Sequence, residues 1–293
     1  MERFHIDHLI GTVDLLRRSF LPEDAVEARE IVGLLRPRDE RRTTGYVLTN
    51  GPQVIGVVFA AVSHADPSVG HLDLLAVDPD YRRRGHGTRL IAQAEQGLRD
   101  LGCTVVRVAG NPPDYAFPGV DVRYTPAVCA LTKAGYVHER TAWNMTAELK
   151  PGSRALADTS PAEDRLAADG IEVRVAEPND IARLRPIIAA EWGGHWAAEI
   201  TSAQAVHIAV QDGEPIAFAA WGCTRPSWFG PMGTRQAAKG LGIGSVLLRR
   251  CLADQAKAGV TRAQIGWVGP VPFYSAAADA VIERVFFLYS KDL

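Results

Sequence analysis

Two glycine-rich loops, 157 residues apart, constrain this chain more than any other feature of its sequence. The first runs Val77-Asp78-Pro79-Asp80-Tyr81-Arg82-Arg83-Arg84-Gly85-His86-Gly87-Thr88. The second runs Gly233-Thr234-Arg235-Gln236-Ala237-Ala238-Lys239-Gly240-Leu241-Gly242-Ile243-Gly244-Ser245. Arg82, Gly85 and Gly87 map onto Lys239, Gly242 and Gly244 at that offset, and Gly102 maps onto Gly259. Gly110 maps onto Gly269 at 159, so two residues have entered between. One matched glycine pair arises by chance. Register kept through a loop, a helix and the next strand marks an internal duplication.

The remaining composition agrees with two ordinary globular domains. The length of 293 residues suits two domains, and the net charge of -2 divides equally between the halves. With 47% hydrophobic and 23% charged residues, the chain is not disordered, collagen-like or coiled-coil. Near-neutral charge excludes the basic surplus expected of a nucleic-acid binder. No apolar run approaches the ~20 residues of a membrane span. The opening MERFHIDHLIGTVD is charged and lacks a signal-peptide core. Cys103, Cys129, Cys223 and Cys251 show no C-x-x-C spacing, so neither a zinc site nor a disulfide framework is expected. These features predict a cytoplasmic protein with reduced thiols and no metal. The stretch from Lys150 to Gly170 is poor in large apolar residues and holds Pro151, Gly152, Ser153, Ser160 and Pro161. It reads as a linker over residues 151–168, with a short helix from Pro161 to Ala168, between domains 1–150 and 169–293.

Each half reads as mixed α and β in the same order. In the first, Phe4 to Leu9 is expected as a strand, followed by two helices, the second near Glu23 to Leu35. A hairpin turns at Asn50-Gly51-Pro52, and His71 to Val77 forms the next strand. Leu90, Ile91, Ala94, Leu98 and Leu101 predict a helix ending at Gly102. A strand from Thr104 to Ala109, a long loop, a helix from Ala127 to Ala134 and strands at Val137 and Trp143 to Leu149 complete the half. In the second, a strand Ile171 to Ala176 precedes a helix capped by Asp180. An aromatic helix is expected from Trp192 to Ile200, then a hairpin around Asp212-Gly213-Glu214-Pro215. A strand Trp228 to Thr234, a helix Ser245 to Ala258, a strand Gln264 to Val268, a helix near Phe273 and a last strand Val285 to Tyr289 follow.

Each glycine loop lies between a strand and a helix. Glycine lets the backbone turn tightly there, and the helix beyond offers free N–H groups and the positive end of its dipole. A pyrophosphate is the natural guest, with Arg83, Arg84 and Lys239 as cationic partners. The Walker pattern fails, because neither loop contains G-K-[ST]. The dinucleotide pattern also fails, because Leu90 and Leu247 stand where a third glycine belongs. What fits is [Gln/Arg]-x-x-Gly-x-[Gly/Ala], met by Arg82-Arg83-Arg84-Gly85-His86-Gly87 and, with lysine first, by Lys239-Gly240-Leu241-Gly242-Ile243-Gly244.

In these residues the chain resembles the GNAT superfamily of acetyl-CoA-dependent N-acyltransferases, over nearly its whole length and in two copies. The resemblance implies an α/β fold with a mixed sheet in each of two tandem domains. It implies that the strand before each loop, Leu75-Ala76-Val77 or Met232-Gly233-Thr234, splays from its neighbour and holds the pantetheine arm of acetyl-CoA. A backbone N–H near Ala76 or Met232 would polarise the thioester carbonyl. The loops Arg82 to Thr88 and Lys239 to Ser245, with His86 near the phosphates, would hold the rest of the co-substrate. A primary amine would attack directly in a ternary complex, a base taking its proton and a tyrosine protonating the thiolate.

The family places that tyrosine in a segment like Phe-Tyr-x-x-x-Gly-Phe. Tyr274 stands there in the second half, whereas the first half has Leu131 and would need Tyr115 or Tyr124. The second half is therefore expected to do the chemistry. Glu191, His195 and Glu199 recur every four residues and share one face if Gly193-Gly194 leaves the helix intact. Glu191 and Glu199 are then candidate bases, and Trp192 and Trp196 can stack on an acceptor. An amphipathic surface helix with two packing tryptophans explains the pattern equally. The stretch Asn111 to Tyr124 makes the connection from Gly110 to Gly135 25 residues long, against about 10 in the second half, and such loops are often functional. His64, His71, Asp73 and His86 flank the first loop without metal-site spacing and are read as ordinary polar positions.

Asn-Pro-Pro-Asp-Tyr-Ala-Phe-Pro-Gly-Val and Gly-Trp-Val-Gly-Pro-Val-Pro-Phe-Tyr resemble glucosaminide N-acetyltransferases more than mycothiol synthase, the other tandem GNAT group considered. The expected function is acetyl transfer to a small polar amine such as an amino sugar, by a monomer built as a pseudo-dimer. Acceptors such as an antibiotic amine or protein lysine, another acyl donor, or an acetyl-CoA-binding regulatory module with little turnover are the alternatives.

Overall fold

A computed structural model describes residues 1–38 and 40–293. The first part of the chain forms β1 (Glu2–Arg3), α1 (Leu9–Ser19), α2 (Pro22–Ala25), α3 (Ala28–Leu35), β2 (Thr43–Asn50), β3 (Gln53–Val62), β4 (Val69–Val77), α4 (His86–Asp100), β5 (Val105–Val108), β6 (Val120–Asp121), α5 (Thr125–Lys133) and β7 (Val137–Glu148). Then come α6 (Ser160–Ala168), β8 (Ile171–Val175), α7 (Pro178–Glu191), α8 (Gly194–Glu199), β9 (Ala205–Gln211), β10 (Glu214–Trp221), β11 (Trp228–Thr234), α9 (Ile243–Lys257), β12 (Arg262–Ile265), α10 (Val271–Ala278) and β13 (Val281–Asp292).

The chain divides into two compact units, Met1–Ala142 with Val285–Leu293, and Trp143–Arg284. These bounds differ from the 1–150 and 169–293 read from composition. Met145–Glu148 of β7 pair antiparallel with β12 in the second unit, while Tyr289–Asp292 of β13 pair antiparallel with β5 in the first. Strand pairing joins residues far apart in sequence, so a Pro- and Gly-rich stretch does not reveal which sheet a strand will join. Nor is residues 151–168 a bare tether. Ala155 and Leu166 are buried in the second unit's core, and Arg250 donates to Glu163 at 2.9 Å.

In the first unit, β1, β2, β3 and β4 are joined antiparallel, and β4 pairs parallel with β5. The central strand β3 is buried from Val54 to Val62, as a strand covered on both faces must be. One face packs Leu90, Ile91, Ala94 and Leu98 of α4 with Leu131 of α5. The other packs Leu15 and Leu16 of α1 with Ile31, Val32 and Leu35 of α3. In the second unit, β8, β9, β10 and β11 are joined antiparallel and β11 pairs parallel with β12. Here α9 and α10 cover one face, while α7 and α8 cover the other.

The duplication is visible in the backbone. Gly85 and Gly242 start α4 and α9 at φ 80° and 82°. Both helices close alike. Cys103 N–H donates to the Leu98 carbonyl across Gly102, and Val260 N–H to the Gln255 carbonyl across Gly259, each at 3.0 Å.

Three local expectations change. Only Glu2–Arg3 pairs as a strand, because the His5 N–H is capped by His8 Nδ1 at 2.9 Å and Ile6–His8 becomes a helical turn leading into α1. Glu177, not Asp180, caps α7. Asp180 stands three residues in and accepts the Glu177 N–H at 2.8 Å. The expected helix from Trp192 to Ile200 is broken at Gly193, whose φ of 110° lies outside the helical range.

The end of β13 also supplies a charge to the first unit. Lys291 Nζ lies 2.8 Å from both oxygens of Glu95, whose side chain is 7% exposed. Lys291→Met removes that partner and should destabilise the protein by about 2 kcal/mol, because a buried carboxylate loses its nearest cation. Denaturant unfolding followed by far-UV circular dichroism measures it. An unchanged midpoint would refute the assignment.

Candidate acyl-transfer site

The site begins where two parallel strands part. β4 pairs with β5 only from Val69 to His71, opposite Val105 to Arg107. β4 continues to Val77 while β5 ends at Val108, which leaves one edge of Leu72–Val77 without a strand partner. A cleft of about 830 Å³ lies along that edge. Leu72 to Val77 line one side and Val108, Ala109 and Gly110 the other, with Tyr115, Tyr124, Cys129 and Leu131 also in its wall. β11 parts from β12 in the same way after Phe229 and Ile265.

The first glycine loop closes one end. Arg82, Arg83, Gly85, His86, Gly87 and Thr88 line the cleft. Arg82 is a bracket, since its guanidinium donates to the Val77 carbonyl at 3.0 Å and the Ser19 carbonyl at 3.2 Å. Arg84 turns back onto its own loop, donating to the Asp80 carbonyl at 3.1 Å and lying over the Tyr81 ring. Arg83 holds φ at 62°, a left-handed conformation that is strained for a residue with a long side chain. The matching position is Gly240, at φ 86°. A side chain at Gly87 would meet no atom within 4 Å, and buried His86 Nδ1 has no hydrogen-bond partner. With the N-terminus of α4, these features make a cradle for an anion.

Asp73 lies at the other end, on a bulge. Phe59 pairs with Leu74 and Ala60 with Leu72, so Asp73 is the extra residue. Its side chain is 2% exposed and lines the cleft. Burial pushes its carboxyl up to about 8, partly opposed by Arg41 and reinforced by Asp114. Behind it stand Arg41, whose Nη2 is 3.6 Å from Asp73, then Asp114 at 3.5 Å from Arg41 Nη1, then His64, which donates to Asp114 at 3.0 Å. The fold thus brings together His64 and Asp73, which the sequence shows only as scattered polar positions, and adds Arg41 and Asp114. No spacing links these four in the chain. The second copy has Gly230, at φ 120°, where the first has Asp73. Among the described residues, no three His, Cys, Asp or Glu side chains come together as a metal site.

The other expected residues are spread more widely. The Tyr124 hydroxyl donates to Asp24 at 2.7 Å and accepts the Leu21 N–H at 2.9 Å, which commits it to holding α2. Tyr274 is buried on α10 between Phe229 and Phe273, and burial raises its hydroxyl pKa well above the ordinary value. Glu191 ends α7 and pairs with Arg235 at 2.7 Å, so it does not share a helical face with His195 and Glu199. Trp192 and Trp196 pack on Phe218, at 5.5 and 6.4 Å between ring centres. In the second loop, Lys239 to Gly242 are exposed, and Phe273 and Met232 lie near Gly244.

Glu199 is 5% exposed, and burial alone pushes its carboxyl from 4.5 up to about 8. Between those values the folded state holds a proton that the unfolded chain has lost, so stability falls as pH rises from about 4.5 to about 8. Glu199→Gln removes that loss. The variant should exceed the parent by about 1–3 kcal/mol at pH 8 and by much less at pH 5. All six tryptophans lie in the second unit, so their fluorescence during denaturation reads this directly. A difference independent of pH would overturn it.

The sequence profile described as Acetyltransferase (GNAT) family matches residues 10–117. No curated protein matches the chain by sequence. Among solved structures, a GCN5-related glucosamine N-acetyltransferase region of a fungal multidomain GH3 β-N-acetylglucosaminidase superposes over 99% of this chain with a TM-score of 0.75 at 18% identity. The match spans 38% of that longer protein. A tandem GNAT protein from the clavulanic acid biosynthesis pathway matches at TM-score 0.71 and 16% identity, covering 99% of this chain and 97% of the other. A GCN5-related N-acetyltransferase from Sphaerobacter thermophilus matches at TM-score 0.67 and 17% identity, covering 99% and 94%. No helix is long and apolar enough to cross a membrane among the described residues. Residues 10–117 thus match the GNAT family model, and the chain as a whole has the fold of tandem GNAT proteins.

Proposed function

We propose that this protein transfers an acetyl group from acetyl-CoA to the primary amine of a small polar acceptor, and that the first unit holds the working cleft. The observation that carries this reading is the cleft where β4 leaves β5, with an anion cradle at one end and a buried carboxyl at the other. The open edge of Leu72–Val77 offers backbone groups to the amides of the pantetheine arm. In this reading an N–H near Ala76, in the cleft wall, meets the thioester oxygen as negative charge develops there. The loop from Arg82 to Thr88 and the start of α4 suit the pyrophosphate.

Asp73 is the base of this reading. A carboxyl near 8 holds a proton taken from an ammonium group far better than an ordinary aspartate. The freed amine attacks the thioester carbon, the new C–N bond forms as the C–S bond breaks, and the thiolate takes up a proton. Tyr115, whose ring is in the cleft wall, is the donor candidate, and Leu131 has no proton to give. For the acceptor we take an amino sugar. The support is the resemblance of two short stretches, Asn111 to Val120 and Gly266 to Tyr274, to glucosaminide N-acetyltransferases, and the glucosamine N-acetyltransferase region named for the fungal fold neighbour. A screen of acetyl-CoA consumption against glucosamine, aminoglycosides, amino acids, polyamines and peptides tests this choice.

A second reading puts the chemistry in the second unit, on Met232 to Thr234 and Lys239 to Ser245. It is favoured by Tyr274, a hydroxyl that burial keeps protonated, and by Glu199, a carboxyl near 8; Glu191 is taken by Arg235. Asp73→Asn and Tyr274→Phe separate the two. We expect Asp73→Asn to lower kcat/KM by about 100-fold or more, the usual range for a general base, and Tyr274→Phe to leave most activity. The reverse pattern would move the site to the second unit.

The loop yields its own prediction. Arg83→Gly relieves about 1 kcal/mol of left-handed strain and should raise Tm without ligand. It also removes a cation from the cradle, so acetyl-CoA should bind about tenfold more weakly by calorimetry. Unchanged affinity would show that Arg83 does not face the phosphates.

A further inference from the structure

The ion pair behind Asp73 is unusual in its hydrogen bonding. Arg41 Nε and Nη2 and Asp73 Oδ2 are all buried without a hydrogen-bond partner. At 3.6 Å the two side chains are not locked into the short bidentate fork that guanidinium and carboxylate prefer. The same guanidinium faces Asp114 at 3.5 Å through its other terminal nitrogen. Asp114 is in turn held by His64, and the His64 backbone N–H donates to Asn111 Oδ1 at 3.3 Å. Asn111 itself is buried and donates to the Val62 carbonyl at 3.3 Å. One cation is thus shared between a carboxylate in the cleft and a carboxylate outside it.

We propose that Arg41 is a positioning residue that sets how tightly Asp73 holds its proton, with Asp114 as the competing partner that keeps Arg41 from pairing fully with Asp73. The proposal rests on the reading of Asp73 as the base. A fully forked arginine would hold the carboxylate ionised and make it a weak base; no arginine would let burial push its proton affinity higher still. Sharing places it between these limits. Other titratable groups near this end of β4 and β5 are His71 and Arg107, with Tyr115 in the same cleft wall, Asp66 before β4 and Lys291 on the strand paired with β5. Burial pushes His71 down to about 4, so it is neutral near pH 7, and it lies 2.9 Å from the Ala109 carbonyl. The registered pairing of His71 with Arg107 places that arginine on the neighbouring strand. His71 therefore contributes no charge that changes with pH in the working range.

The test uses the full chain and two readouts. The first is the pH profile of kcat/KM with acetyl-CoA and glucosamine, or the best amine from the screen. The second needs no substrate: the carboxyl ¹³C shift of Asp73, assigned by its loss in Asp73→Asn, followed from pH 5 to pH 10. Arg41→Met should move the acid limb and the carboxyl titration to higher pH by about 1–3 units. Asp114→Asn should move both to lower pH by about 0.5 unit, since it gives Arg41 wholly to Asp73. Arg41→Lys keeps the charge and should return the titration most of the way to the parent position. A merely structural role would lower activity or stability without opposed shifts. Titrations of Arg41→Met and Asp114→Asn that coincide with the parent overturn the proposal. If Asp73→Asn instead keeps the parent's acid limb, the assignment of Asp73 as base fails, and the carboxyl titration still decides whether Arg41 and Asp114 control it.

Discussion

The parting of two parallel strands is the constraint on which the rest of the site depends. Backbone N–H and C=O groups in a sheet need partners, and an edge left open inside a fold is a standing demand for them. β4 leaves β5 after His71, so six residues of β4 face a cleft where a strand would otherwise lie. The bulge at Asp73 falls just where the pairing stops. It offsets the ladder by one residue and puts an ionisable side chain in the cleft wall. The loop at the far end continues the same strand into α4, whose N-terminus is left without intrahelical acceptors. Edge, carboxyl and anion cradle are therefore consecutive features of one stretch of chain, from Leu72 to Thr88.

The two copies share this backbone device and differ in what they mount on it. Loop conformation repeats closely, with Arg83 and Gly240 both left-handed and Gly85 and Gly242 nearly identical in φ. The carboxylate of Asp73 is matched by Gly230, and Leu131 stands where the second copy has Tyr274. At these two paired positions each unit keeps one polar side chain and lacks the other. Glu191 illustrates how a local pattern misleads: its spacing from Glu199 suits a common helical face, yet Gly193 breaks the helix and Arg235 takes the carboxylate.

Much of the fold was legible because it rests on local rules. The hairpins at Gly51 and Gly213, the amphipathic helix after each glycine loop and the glycine closures at Gly102 and Gly259 follow from residue type and period. The start of the chain was less legible, since a side-chain cap from His8 overrides the apolar run that suggests a strand. Within the cleft, the lining stretch Leu75 to Val77 and most of Arg82 to Thr88 could be read from the motif. Arg82 could not be told from Arg83, although Arg82 clamps the loop and Arg83 forms its left-handed turn.

By itself the sequence determined a duplicated α/β architecture and the loops that suit a pyrophosphate, because periodicity and glycine placement act within a few residues. Only the tertiary structure decided the exchange of strands between the compact units, because pairing partners lie more than 100 residues apart in the chain. Tertiary structure alone also raised Asp73 from an ordinary polar position to a buried carboxyl near neutral proton affinity. The rise comes from burial and from Asp114, about 40 residues after it, and is opposed by Arg41, about 30 before it; electrostatics follows distance in space, not in sequence.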